Sequence, residues 1–177
     1  MSRKASGLAF NLLCAALGLR DRLLPPERVL YEAEIRPGMT VLDYGCGAGS
    51  FILPVAGLVG EKGTLVALDV NPLATDRAAR IAAANGLSNV LTIRSECSTD
   101  LPGGSVDVVL LYDVLHRLRP PEHVLAELHR VLKPHGRLSL SDHHMKPKAI
   151  VHCVTEAGQF RLARRDRYTH TFVPVHE

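Results

Sequence analysis

The chain has 177 residues, 46% hydrophobic and 22% charged, with a formal net charge of +3 at neutral pH. At this length a single core buries roughly 70% of the surface the unfolded chain exposes, so no disulfide or metal staple is required. The composition excludes intrinsic disorder and little else; the one dense basic cluster, Arg161, Arg164, Arg165 and Arg167, reads as a solvated face in preference to a nucleic-acid contact.

At the start of the chain, Arg3 and Lys4 precede the apolar stretch "GLAFNLLCAALGL", which has the first two parts of a secretory signal. It is too short for a bilayer crossing, which takes about 20 residues. The following "RDRLLPPERVLYEAEIRPGM" continues as amphipathic helical sequence without a small-residue cleavage site, so a docking helix is expected. Its Leu8, Leu12 and Leu19 side could also touch a membrane surface. Residues 1–37 are therefore expected to form a helical lid, and residues 38–177 one domain.

From residue 38 onward, β-rich runs alternate with helical patterns, the signature of βαβ units and a parallel sheet. The predicted strands are "TVLDYG" from Thr40, "TLVALDV" from Thr64, "NVLTIRS" from Asn89, "VDVVLLY" from Val106 and "RLSLSD" from Arg137. Several are continuous apolar runs, as strands covered on both faces should be. Asn71 and Pro72 supply an N-cap and first-turn proline for a helix that stops at "NGL" (85–87). Pro120 and Pro121 open another, with Val124, Leu125, Leu128, Val131 and Leu132 on one face, and "LKPHG" (132–136) closes it. The tail offers a helix near Lys148 to Ala157 and two strand-like pieces, "QFRL" and "THTFVPV", whose short connection makes them antiparallel. The expected fold is thus α/β, Rossmann-like and doubly wound: a mostly parallel seven-stranded sheet with an antiparallel edge strand and N-terminal lid helices.

In such sheets ligands bind at the carboxyl ends of the strands, where strand order reverses. The first strand runs into "VLDYGCGAGSF" (41–51), where Gly45, Gly47 and Gly49 stand at alternate positions, more than a tight turn needs. Asp69 ends the second strand, where an acidic side chain can bind ribose hydroxyls. The dinucleotide fingerprint G-x-G-x-x-G nevertheless fails. Counted from Gly45 its third glycine falls on Ser50, and counted from Gly47 on Ile52. Asp43 beside the loop favours a cationic ligand group over a pyrophosphate. Cys14, Cys46, Cys97 and Cys153 are scattered, without zinc-site spacing, and read as reduced thiols of a cytoplasmic protein.

The segments "VLDYGCGAGSF", "LVALDVNP", "SVDVVLLYDVLHRL" and "ELHRVLKPHGRLSLSDHH" resemble, in order, the consecutive motifs of class I S-adenosylmethionine-dependent methyltransferases of the small single-domain kind. The resemblance covers about Gly38 to His144. It implies S-adenosylmethionine as cofactor, with Gly45, Cys46, Gly47 and Gly49 passing along its methionine portion and Asp43 near its ammonium. It further implies Asp69 on the ribose hydroxyls and Val70 and Asn71 flanking the adenine. Glu96 with the Cys97 amide would lie at the adenine edge, and the Leu111 carbonyl would face the ammonium. Tyr112 and Asp113 would stand beside the methyl group.

Methyl transfer from a sulfonium is an in-line displacement from an activated donor, so a general base is needed only for a protonated acceptor. The candidates are His116, His143 and Tyr112, with Asp113 and His144 as neighbours; of the adjacent pair His143 and His144, at most one should face a substrate. A metal site at Asp142, His143 and His144 lacks a further ligand placed by the sequence, and none is expected. The fourth-strand "LLYDVLH" lacks the Asn-Pro-Pro-aromatic pattern of exocyclic or amide nitrogen methylation, and no Pro-Cys nucleophile appears. No inserted substrate domain is visible. The expected activity is methyl transfer to an O, N, S or C atom of a small molecule. The alternatives are a non-catalytic cofactor-binding partner subunit and a nucleic-acid methyltransferase.

Overall fold

The computed structural model describes residues 27–176 and, ahead of them, the helical positions Gly7, Leu8, Phe10, Leu12, Cys14 and Ala15. Phe10 packs against the core and Cys14 is buried, while Leu8 and Leu12 are exposed. Leu19 and most of the expected lid lie outside the described residues.

Seven strands, β1 (Thr40–Tyr44), β2 (Thr64–Asp69), β3 (Val90–Arg94), β4 (Val106–Tyr112), β5 (Leu132–Ser141), β6 (Phe160–Arg165) and β7 (His170–Pro174), form one sheet in the order β3-β2-β1-β4-β5-β7-β6. From residue 27 onward five α-helices accompany them: α1 (Glu27–Glu32), α2 (Ile52–Val59), α3 (Pro72–Ala84), α4 (Pro121–Val131) and α5 (Pro147–Thr155). Strands β3 to β5 pair in parallel. The antiparallel strand is β7, one place in from the edge and opposed to both β5 and β6, because the hairpin folds its first strand outside its second.

The predicted capping chemistry is present. Asn71 Oδ1 accepts from the Leu73 amide at 3.0 Å, Pro72 occupies the first turn of α3, and Asn85 with left-handed Gly86 ends it. One expectation is corrected. "LKPHG" does not close a helix as a free turn, since β5 begins at Leu132, five residues before Arg137. Burial of Leu132 draws it into register with Val106, and Lys133 Nζ bonds Asp107 at 2.7 Å. The intervening residues bulge before pairing resumes at Val108↔Arg137.

Alternate residues of the central strands feed two cores, as the period of a strand requires. Leu42, Leu68, Val109, Leu111, Leu138, Leu140 and Phe172 pack beneath α4 and α5. Val41, Leu65, Ala67, Val108 and Leu110 pack with α1, α2 and α3 on the other face. The basic cluster Arg161, Arg164, Arg165 and Arg167 is exposed, and one of its members also makes specific contacts. Arg164 pairs with Glu34 and with Asp166, and its Nη2 donates to the Glu32 carbonyl at 2.9 Å. Glu32 in turn accepts from the amide and hydroxyl of Thr169, both at 2.9 Å, so the end of α1 is clamped to the β6–β7 turn.

Candidate active site

The strand order reverses between β1 and β4, and there the sheet opens. Pairing of β1 with β4 stops at Asp43↔Leu110, whereas β4 stays paired with β5 as far as Tyr112↔Ser141. The glycine loop forms one wall of this crevice. The amides of Gly45 and Cys46 both donate to the Leu68 carbonyl, at 2.7 and 2.9 Å, and Arg77 Nε donates to the Ala48 carbonyl at 2.8 Å. Gly45 has φ 89°, and a Cβ there would stand 2.4 Å from Cγ2 of Val114; side chains other than hydrogen are excluded on both counts.

The acidic pair sits where the sequence places it. Asp69 joins strand to loop, its Oδ2 accepting from the Gly47 amide at 2.9 Å and its Oδ1 from the Asn71 amide at 2.8 Å. Asp43 is 2% exposed, and its Oδ2 has no hydrogen-bond partner among the described residues. Burial, followed by the charge of Asp69, pushes the Asp43 carboxyl up to about 7. An orphaned buried carboxylate oxygen beside a close-approach glycine loop fits a ligand carrying a cation. It suits the ammonium of S-adenosylmethionine and not a pyrophosphate.

The remaining wall residues are placed as follows. Val70 is exposed beyond Asp69, and the side chain of Asn71 is committed to its cap. Tyr44 Oη donates to the Glu96 carbonyl at 2.7 Å, and the Cys97 amide lies 3.3 Å from Ser95 Oγ. Just beyond, Thr99 donates through its amide and hydroxyl to Glu127 Oε1, at 2.8 and 2.6 Å, fixing this loop to α4. Cys46 is buried, and desolvation pushes its thiol far up, so it is a packing group and not a nucleophile. Leu111 is buried in β4.

The three candidate bases divide. Tyr112 is within 5.2 Å, ring to ring, of Phe51, and its hydroxyl lies 2.8 Å from Ser139 Oγ. Burial pushes its pKa up, so the phenol holds its proton. His116 stands on a short 3₁₀ turn (Leu115–Arg117) after β4, its Nδ1 2.9 Å from Asp142 Oδ2. Asp142 also accepts from the amides of His116 and His144, both at 3.0 Å. Burial alone would raise the Asp142 carboxyl, but those donors hold it below its ordinary value. The ring of His144 lies 4.3 Å from that of His116. His143 turns the other way, donating its amide to Asp113 Oδ1 at 2.9 Å with Nδ1 2.8 Å from the same oxygen, and Asp113 adopts φ 56° to receive it. Both histidines belong to the turn after β5 and not to the strand itself. No cluster of three metal-ligating side chains forms among the described residues.

Sequence reasoning missed Asp142 as the partner of His116 and Arg77 as the clamp on the loop. The first had a findable signal: residues just past the carboxyl ends of adjacent parallel strands become neighbours whatever their separation in sequence. Arg77 had none, since a polar residue within a helix is ordinarily solvated.

Strand order, the parallel centre and the ligand end of the sheet place the chain in the Rossmann-like class of cofactor-binding α/β domains. Residues 35–165 match the family described as Methyltransferase domain, and the chain belongs to that family. A SAM-dependent methyltransferase from Aquifex aeolicus superposes with a TM-score of 0.78 at 30% identity, over 87% of this chain and 92% of that one. Nocamycin O-methyltransferase of Saccharothrix syringae is 35% identical over 117 residues, 65% of this chain and 41% of the relative. Ubiquinone biosynthesis O-methyltransferase of Pseudomonas paraeruginosa is 30% identical over 135 residues, 76% of this chain and 57% of the relative. The chain thus spans from about two fifths to just over half of these curated relatives. Among the described residues no helix is long and apolar enough to cross a membrane.

Proposed function

We propose that this protein transfers a methyl group from S-adenosylmethionine to an O, N, S or C atom of a small-molecule acceptor. The observation that carries the reading is Asp43 Oδ2, without a hydrogen-bond partner among the described residues and buried at the open end of β1 beside the glycine loop. The names of the two O-methyltransferases above support a small acceptor, and the Aquifex aeolicus structure supports the cofactor.

When bound, S-adenosylmethionine supplies a methyl group already activated on a sulfonium. In this reading Asp43 and the Leu111 carbonyl hold the ammonium, and the backbone of Gly45 to Gly49 follows the methionine chain. Asp69 accepts from the ribose hydroxyls, exchanging its contact with the Gly47 amide for them. Val70 and Asn71 flank the adenine, and Glu96 with Cys97 covers its edge. His116, with Nδ1 directed to Asp142, keeps Nε2 available to take a proton from the acceptor, which makes it the preferred base over His143. Tyr112 shapes the wall. Residues 1–37 are proposed as the lid on a single domain, 38–177. Four free cysteines support a reducing, cytoplasmic location.

The test is release of S-adenosylhomocysteine across a panel of phenols, enols, amines, thiols and activated carbons. Turnover of one acceptor class, lost in His116→Gln, is expected. Silence across the panel, broken only by adding a partner protein, would replace the reading with that of a cofactor-binding subunit.

A further inference from the structure

Between the turn after β5, the start of α5 and the β6–β7 hairpin lies a cavity of about 270 Å³. His170, the first residue of β7, lines it and is 8% exposed. Neither of its ring nitrogens has a hydrogen-bond partner among the described residues. Its ring stacks near Phe172, with centroids 6.4 Å apart. Packing alone would be served better by a hydrocarbon side chain, because a buried polar atom without a partner forfeits its hydrogen bonds to water. The two nitrogens therefore call for a ligand.

The walls indicate its chemistry. Val29, Met145, Pro147 and Ile150 supply apolar surface, suited to the face of a ring. The carboxylates that line the cavity are already engaged: Asp142 by His116 and His144, Asp166 by Arg164. Arg165 and Arg167 also line it, and neither meets a carboxylate among the described residues; Arg167 lies over the Tyr168 ring at 5.4 Å. Two guanidinium groups that meet no carboxylate among the described residues thus line the space, beside carboxylates whose oxygens already accept from other donors. His143, which also lines it, bonds Asp113, the residue that the methyltransferase resemblance sets beside the methyl group. The clamp of Glu32 on Thr169 fixes the hairpin wall.

We infer that this cavity is the acceptor site, that His170 hydrogen-bonds the acceptor there, and that the acceptor is a molecule of about one ring carrying an anionic oxygen. The inference rests on the methyl-transfer reading for the word acceptor, but not for the anion. The volume lies just below the 300–1,000 Å³ of drug-sized sites, which sets the one-ring limit. Burial, then the charge of Arg165, lowers the His170 pKa, so the neutral ring offers one donor and one acceptor.

The test uses the full chain labelled with ¹⁵N-histidine and three probes of matched size: benzoate, phenol and benzylamine. The imidazole resonance absent from His170→Gln identifies the residue. Benzoate is expected to move that resonance and to bind at least tenfold more tightly than benzylamine. His170→Phe and Arg165→Ala should each weaken benzoate about tenfold, and His170→Gln less than threefold, with S-adenosylhomocysteine affinity within twofold of wild type throughout. An unmoved resonance, equal binding of benzylamine, or full benzoate affinity in His170→Phe and Arg165→Ala overturns the inference. If benzoate behaves as expected while the wild type fails to bind S-adenosylhomocysteine, the anion site stands and the methyl-transfer reading is the part that falls.

Discussion

Nδ1 of His116 lies 2.9 Å from Oδ2 of Asp142, although the two residues are 26 positions apart in the chain. The contact fixes which imidazole nitrogen is left for chemistry, and the buried carboxylate stabilises the ring when it takes a proton. Asp142→Asn is therefore expected to lower kcat for a protonated acceptor by about 10–100-fold, and His116→Gln by about 100-fold or more. Cofactor affinity should be unchanged in both. Steady-state kinetics with isothermal titration of S-adenosylhomocysteine separates the two effects, and an unaltered kcat in His116→Gln would remove it as the base.

Gly45→Ala should cost about 1–3 kcal/mol of stability and most of the cofactor binding, since its Cβ collides with Val114 and its backbone is left-handed. Adding Val114→Ala opens the space but leaves φ unfavourable, so the double variant should regain part of the loss. Denaturant unfolding of the two single variants and the double variant measures the coupling.

Asp43 predicts a pH dependence of binding. Its folded pKa of about 7 exceeds the ordinary 3.8, so the folded state retains a proton that the unfolded state has lost. Its contribution to stability is accordingly greatest below pH 4 and declines as the pH rises toward 7. A cationic ligand needs the ionised form, so affinity for S-adenosylmethionine should rise with pH up to about 7, with proton release on binding below that value. Calorimetry in buffers of different ionisation enthalpy detects the proton, and Asp43→Asn should abolish both its release and the slope.

Glu127 predicts the opposite trend for stability. Its bond with Arg130, opposed by burial and reinforced by Thr99, holds its carboxyl at about 2, against an ordinary 4.5. That contribution is present above pH 4.5 and is lost as the pH falls toward 2. Glu127→Gln should be less stable than wild type at neutral pH by about 1–2 kcal/mol, and the two should converge in acid. Thermal unfolding followed from pH 7 to pH 3 tests this.

The centre of the fold was legible because parallel strands buried on both faces announce themselves as apolar runs, "VDVVLLY" above all, and because Asn71 and Pro72 cap a helix by local chemistry. The extent of β5 was not. Lys133, Pro134, His135 and Gly136 look like a turn, and only the pairing of Leu132 with Val106 and the bond from Lys133 to Asp107 make them a bulged strand. In the candidate site, the nearness of Asp43, Asp69 and the three glycines was legible from spacing within short segments. The His116–Asp142 contact and the His170 cavity join residues far apart in sequence that only the register of β4 with β5 and of β5 with β7 brings together, and the Arg77 clamp depends on how α3 packs against the loop after β1.

The central claim is that the glycine loop, Asp43 and Asp69 form a site for S-adenosylmethionine. The most direct measurement is isothermal titration of S-adenosylmethionine into the wild type and into Asp69→Ala at pH 7.5. The account predicts saturable binding to the wild type and at least a tenfold weaker Kd in the variant, with its fold intact by circular dichroism. No heat of binding to the wild type, or an unchanged Kd in Asp69→Ala, would contradict it.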